Sequence, residues 1–322
     1  MANGDMMQLN RLAAEIVRQA EADAGRLRVG VHQLENGAKL IDFGIDCEGG
    51  LQAGLELARI CTSGLAEVRL DPGALSVGPW VDVVVATDHP LAACMASQYA
   101  GWQINPDGYF AMGSGPMRAM ARVEPLFEKL DYTDAADIAV GVLESAKLPT
   151  ADVSAWLADR CGVPPSSVQL CVAPTSSQAG TIQIVARSVE TSLHKLMDLG
   201  FDLHAVRSGM GAAPLPPVAA DDLTGIGCTN DSILYGARVT LWLHGDDESL
   251  AQLVTQIPSN ASSDFGEPFG RVFARYDHDF YKIDPHLFSP AVVTLINLDT
   301  GRVHVAGEVR EDILRDSFLG SN

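Results

Sequence analysis

Lysine is scarce in this chain, with five in 322 residues, while aspartate and glutamate number 41 and the formal net charge is −19. A protein that grips nucleic acid through its phosphates needs a basic stripe to release counterions, and docking on an anionic membrane needs one too. Neither partner is expected. A strongly negative field either serves solubility or concentrates a cationic small molecule, and composition leaves both open. No apolar run approaches the roughly 20 residues of a membrane span. The opening MANGDMMQLN has no cationic start leading into an apolar run, so no secretory signal is read and a cytoplasmic location is expected. The six cysteines, 47, 61, 94, 161, 171 and 228, form no C-x-x-C pair and sit among apolar neighbours, which points to reduced, buried thiols. The eight histidines form no H-E-x-x-H, and no acidic cluster has calcium-loop spacing, so no metal site is expected.

What is present is an ordinary globular composition, 47% apolar and 20% charged, on a chain long enough for two α/β units. Helical spacing over residues 9–20, 50–63, 90–100, 151–161, 249–257 and 311–319 alternates with strand-like runs. Residues 29–34 and 39–45 read as a hairpin across Asn36-Gly37. WVDVVVATD (80–88), a short strand around Trp102, DIAVGVLES (137–145), VQLCVAP (168–174) and SILYGARVTLWLHG (232–245) read as further strands. AVVTLINL and RVHVAGEV form a last hairpin across Asp299-Thr300-Gly301. That hairpin is antiparallel, so mixed sheets are expected. The polar stretch 124–137 reads as a connection, giving an N-terminal portion 1–124 and a second portion 125–322. The Gly- and Pro-rich stretch 207–227 reads as a long irregular segment of the kind that lines binding clefts.

Candidate chemistry collects at the ends of these elements. Within IVARSVETSLHKL (184–196) apolar residues recur at helical spacing over 182–197, and Arg187 and Glu190 share one flank of that helix with Gln183 and His194. A pair three positions apart is either a solvated ion pair worth a few tenths of a kcal/mol or part of a cleft wall. FAMGSGPMRAM places Gly113, Ser114 and Gly115 before a helix start at Pro116, either a tight turn or a ligand-contacting loop. The sixth position of a dinucleotide fingerprint counted from Gly113 is Arg118, so this is no nucleotide motif. Asp88 and His89 close a strand, where Asp88 either caps the next helix or meets a ligand. Thr175 and Ser176 follow a strand in APTSSQAG, and Asn230 and Asp231 stand at what reads as another strand entrance, with the same two readings. No G-x-S-x-G elbow is present.

Taken together, LENGAKLIDFGI, EGGLQAGLELARIC, TDHPLAACMASQYAGWQI, YFAMGSGPMRAM, DIAVGVLES, VAPTSSQAGTIQIVARSVET, TNDSILYG and FYKIDPHLFSPAVVT closely resemble, in order, the methenyltetrahydromethanopterin cyclohydrolase family. The resemblance covers about residues 30–310. It implies two α/β domains with mixed sheets flanked by helices and a large pocket between them, a cytoplasmic homotrimer, and no metal or tightly bound cofactor. It also implies an enzyme of one-carbon metabolism that reversibly opens the methenyl bridge of tetrahydromethanopterin, or its dephospho form, to the N5-formyl derivative. The family's functional Arg and Glu lie in an A-R-x-V-E-T phrase, matched here by Arg187 and Glu190, which makes them the expected catalytic pair. Asp88, His89, Gly113, Ser114, Gly115, Thr175, Ser176, Asn230 and Asp231 are then the expected pterin contacts. The family often carries lysine before its A-G-W phrase, where this chain has Tyr99. Two other readings remain: a non-catalytic pterin-binding protein, and a nicotinamide-dependent dehydrogenase of the same pathway, which the failed glycine spacing disfavours.

Overall fold

The computed structural model describes residues 7–73, 75 and 80–320; the first six residues of the opening segment read above lie outside them. The described strands are β1 (Gly30–Gln33), β2 (Lys39–Asp42), β3 (Glu67–Pro72), β4 (Val81–Thr87), β5 (Trp102–Ile104), β6 (Ala111–Ser114), β7 (Ala139–Glu144), β8 (Val168–Ala173), β9 (Val206–Pro214), β10 (Arg238–Leu243), β11 (Val292–Asn297) and β12 (Val303–Gly307). They form two six-stranded mixed sheets flanked by helices.

The chain divides into two compact units. Unit 1 is Met1–Ala66 with Leu91–Gln183, and unit 2 is Glu67–Pro90 with Ile184–Asn322. The expected boundary at 124/125 falls inside unit 1. The reason lies in pairing: β3 and β4, early in the chain, complete the sheet built by β9 to β12.

Unit 1 carries the order β1-β2-β8-β7-β6-β5, with β2, β8 and β7 parallel and the outer pairs antiparallel. The Asn36-Gly37 hairpin is present. Gly37 takes φ +87°, and the Asn36 amide ties the turn to the carbonyl of Ala151 and the hydroxyl of Ser154 at 2.8 Å each. The parallel strands are apolar on both faces because both are covered. Ile41, Val140, Val142 and Cys171 pack with helices Leu9–Ala22 and Leu51–Cys61, while Leu40, Leu143, Leu170 and Val172 pack with helix Ala151–Cys161. Thr150 caps that last helix through Val153.

Unit 2 carries the order β12-β11-β10-β9-β4-β3, antiparallel except for β10 beside β11. Helix Ser188–Asp198 packs on β9 and β10 through Val189, Leu193 and Leu196, all wholly buried. Each such side chain contributes about 1.5–3 kcal/mol. A separate core joins helices Asp222–Asp231, Phe269–Arg275 and Glu311–Leu319 around Tyr235, Phe269 and Leu314.

Three expectations are corrected and a fourth, the helix at 90–100, is refined. The stretch 207–227 is the nine-residue strand β9 followed, after a short connection, by helix Asp222–Asp231. Its glycines carry no side chain to show the alternation of a strand, so the stretch has the composition of a loop. Residues 232–236 continue that helix as a π-helical turn, so the following strand starts only at Arg238. The segment 182–197 is two helices, Gln178–Val185 and Ser188–Asp198, broken at Ala186-Arg187. Residues 91–98 are π-helical, a widened turn that apolar spacing does not distinguish from an α-helix.

Candidate functional site

The break before Ser188 determines how Glu190 is presented. Arg187 leaves helical geometry at φ −85°, ψ 9° and becomes the N-cap residue of the second helix. Its N–H closes a tight turn onto the Ile184 carbonyl at 3.0 Å, and its own carbonyl accepts from both the N–H and the hydroxyl of Thr191, at 2.9 and 2.8 Å. Glu190 therefore stands in the first turn of a helix rather than midway along one. Negative charge is favoured there by the unsatisfied N–H groups of the helix start. Glu190 is 6% exposed and Arg187 is half-buried, which does not describe a solvated surface pair.

Asp88 and His89 stand beside strand β9. Thr87, the last residue of β4, pairs with Gly209. One residue on, Asp88 Oδ1 accepts a 2.7 Å hydrogen bond from the Ser208 hydroxyl. His89 donates its N–H to Thr87 Oγ1 at 3.0 Å, and both Asp88 and His89 are exposed. On the helix side, Val189 lies against Gly209.

Asn230 and Asp231 occupy a helix end, not a strand entrance. Asn230 turns its amide back onto the Ile226 carbonyl at 2.9 Å. Asp231 is buried, accepts from the Phe269 N–H at 2.7 Å, and has its carboxyl pushed up to about 7 by desolvation. It caps the start of helix Phe269–Arg275.

In unit 1, Gly113 and Ser114 end β6, and Gly115 follows at φ +86°; all three are buried. A Cβ at Gly113 would stand 2.5 Å from Ile104, and one at Gly115 would stand 3.1 Å from the Val142 nitrogen. Ser114 donates to the Val142 carbonyl at 3.2 Å. Gly113 lets the strand lie close to Ile104, and Gly115 makes the turn that follows it close to β7. Thr175 is buried at the end of β8 and donates to Glu144 Oε1 at 2.6 Å, while Ser176 is half-buried beside it. Glu144, on the end of the parallel neighbour β7, is a half-buried carboxylate that sequence reading passed over. Its signal was a lone acid closing the apolar run DIAVGVL at the carboxyl edge of a sheet, where open α/β sheets place ligand groups.

Tyr99 has a specific neighbour. The guanidinium of Arg118, wholly buried, stands 5.1 Å from the centre of its ring. Arg118 also forks onto Glu124 at 2.7–3.1 Å and donates to the carbonyls of Met95 and Ser97 at 3.1 Å each. It thereby satisfies carbonyls at the end of the π-helical turn 91–98 that precedes Tyr99. Burial pushes the Glu124 carboxyl up while Arg118 pulls it down.

Lys195, on the Glu190 helix, was not singled out by sequence. It is buried, donates to the His286 carbonyl at 2.8 Å, and desolvation lowers its pKa to about 8 against the pull of Asp284 and Asp198. Among the described residues no group of three or more His, Cys, Asp or Glu could hold a metal ion, and no helix is long and apolar enough to cross a membrane. The cysteines are unbridged; five are buried and Cys47 is half-buried.

The family model described as "Cyclohydrolase (MCH)" matches residues 8–318. A methenyltetrahydromethanopterin cyclohydrolase of Rhodopirellula baltica is 48% identical over 287 residues, covering 88% of this chain and 86% of that protein. One from Xanthobacter autotrophicus is 46% identical over 316 residues, 98% of this chain and 93% of that protein. One from the archaeon Methanosarcina mazei is 40% identical over 316 residues, 97% of this chain and 98% of that protein. The match runs through both units and includes the Arg187/Glu190 break, and the chain belongs to the methenyltetrahydromethanopterin cyclohydrolase family.

Proposed function

We propose that the protein reversibly hydrolyses methenyl-tetrahydromethanopterin, or its dephospho form, to the N5-formyl derivative, with Glu190 as general base and Arg187 as its partner. The observation that carries the catalytic assignment is the burial of the Glu190 carboxylate in the first turn of a helix whose N-cap is Arg187. The methenyl carbon is part of an amidinium cation and already electrophilic, so the enzyme has chiefly to place a water and take its proton. Glu190 removes that proton as the water oxygen bonds to the carbon. The adduct then collapses with cleavage of the carbon–N10 bond, N10 receives the proton from Glu190, and the hydroxyl proton of the adduct leaves to solvent. Before attack the carboxylate stabilises the cation. Arg187 orients Glu190 and donates to the oxygen that becomes the formyl carbonyl.

Asp88 and His89, exposed at the end of β4, are proposed to contact the pterin. The protein is further proposed to act as a cytoplasmic homotrimer in one-carbon metabolism, without a tightly bound cofactor; sedimentation at micromolar concentration tests the trimer, and a monomer mass rejects it. Activity is tested by mixing purified protein with methenyl-tetrahydromethanopterin and following loss of the methenyl absorbance without NAD(P). A rate no faster than the spontaneous one rejects the enzyme in favour of a pterin-binding protein. A strict requirement for NAD(P) would indicate a dehydrogenase.

A further inference from the structure

Glycine inside a strand weakens it, because it loses more backbone freedom on folding and packs nothing, so two in alternate register call for a reason. Gly209 and Gly211 are such a pair on β9, the strand paired on one side with β4 and on the other with β10. Neither takes a positive φ, so neither is there to make a turn. Both are buried and face the same side of the sheet, toward helix Ser188–Asp198. A Cβ on Gly209 would stand 2.7 Å from Val189 Cγ1. One on Gly211 would overlap Ser188 Oγ and lie 3.1 Å from Ser188 Cβ. Ser188 and Val189 are the first two residues of the helix, and Glu190 is the third.

We propose that Gly209 and Gly211 are positioning residues for the cyclohydrolase reaction: they form a side-chain-free seat that sets the depth of the helix start and so places Glu190. The proposal rests on Glu190 being the base. Ser188 Oγ is buried and, among the described residues, has no hydrogen-bond partner. The seat is thus a close steric contact rather than a polar one. A methyl at Gly211 displaces the Ser188 hydroxyl and presses on Ser188 Cβ, and a first turn that yields to it lifts by up to about 1 Å to restore van der Waals separation. A displacement of that size, made away from the reacting atoms, is enough to cost about 10²-fold in rate.

The test is a set of steady-state measurements on the full chain, each variant checked for folding by circular dichroism. Gly211→Ala is expected to lower kcat by about 10–100-fold with KM changed less than about twofold. Ser188→Ala removes the hydroxyl that the new methyl meets. Alone it is expected to keep parental kcat, and combined with Gly211→Ala it is expected to restore kcat to within about threefold of parental. A merely destabilised sheet would not be repaired by trimming Ser188. Parental kcat in folded Gly211→Ala, or a double variant no better than the single, overturns the proposal. Should Gly211→Ala fail to fold, Ser188→Cys pushes the same contact from the helix side: a fall in kcat of about threefold or more supports the seat, and parental kcat rejects it. Glu190→Gln is assayed alongside. If it keeps turnover, the catalytic reading of the helix fails. If it is inactive while Gly211→Ala is normal, only the seat fails.

Discussion

The carboxylate of Asp231 accepts a 2.7 Å hydrogen bond from the main-chain N–H of Phe269, so the last residue of one helix caps the first residue of another inside the core of unit 2. An acid in this position is held by geometry and penalised by burial. Its folded-state pKa of about 7 lies above the usual carboxylate value of about 3.9. Between these values the folded protein binds more protons than the unfolded chain, so the contribution of Asp231 to stability is full below about pH 4 and is lost as pH rises through about 7. Asp231→Asn keeps an acceptor for Phe269 and removes this dependence. Its stability relative to the parent should therefore rise by about 2–4 kcal/mol between pH 4 and pH 8, measured by urea unfolding. Its kcat and KM should match the parent. A raised KM would mean that Asp231 contacts the pterin.

Lys195 works in the opposite sense. Its folded pKa of about 8 lies below the usual lysine value of about 10.4, so between these values the unfolded chain binds more protons and stability rises with pH. Below pH 8 both states are charged and the cost of the buried ammonium is present in full. Lys195→Met removes the charge but also leaves the His286 carbonyl without this donor. The parent should gain on the variant by about 1–3 kcal/mol as pH goes from 8 to 10.5. Parallel stability curves for the two proteins over that range would contradict the assignment.

Arg118→Met should be among the most damaging substitutions outside the Glu190 helix. It strands the Glu124 carboxylate, which is 8% exposed, and strips a donor from the carbonyls of Met95 and Ser97. Breaking a buried pair from one side costs about 3–5 kcal/mol. The loss should be smaller when Glu124→Gln is added, because the uncompensated charge goes with it; a cost of Glu124→Gln that is the same with Arg118 present or replaced, read by thermal unfolding, would show that the pair is not coupled.

What could be read from the sequence depended on how each element announces itself. Strands β7 and β8 are valine-bearing, apolar runs, and the helix Leu9–Ala22 shows its buried face at regular spacing, so both were legible. β9 was not, because its buried face at 209 and 211 is glycine and hydrophobic alternation has nothing to register there. The residues of the Glu190 helix were legible, its start was not. Apolar spacing continues through Ala186 and Val189, while the break depends on the backbone angles of Arg187, which carry no sequence signature. The capping role of Asp231 was not legible, because a carboxylate that caps a distant helix has the same local sequence as one that binds a ligand, and the approach of Phe269 is a tertiary contact.

The proposed pair of Glu190 and Arg187 makes the sharpest prediction. Glu190→Gln preserves the size and hydrogen-bonding capacity of a side chain that is almost wholly buried at the start of its helix, and removes only its ability to take a proton. Turnover should fall by roughly 10²–10⁴-fold, the usual worth of a positioned general base, with KM little changed. Arg187→Ala should also lower turnover. Its main-chain links to Ile184 and Thr191 survive the substitution, so the helix start should stay in place and the loss should be one of charge and orientation. If the two act as one unit, the double variant should be scarcely slower than Glu190→Gln alone, because Arg187 has no base left to orient. A solvated ion pair would behave differently: both single variants would keep parental turnover and change stability by under about 1 kcal/mol. Strictly multiplicative losses in the double variant would instead show that Arg187 acts on the substrate independently of Glu190.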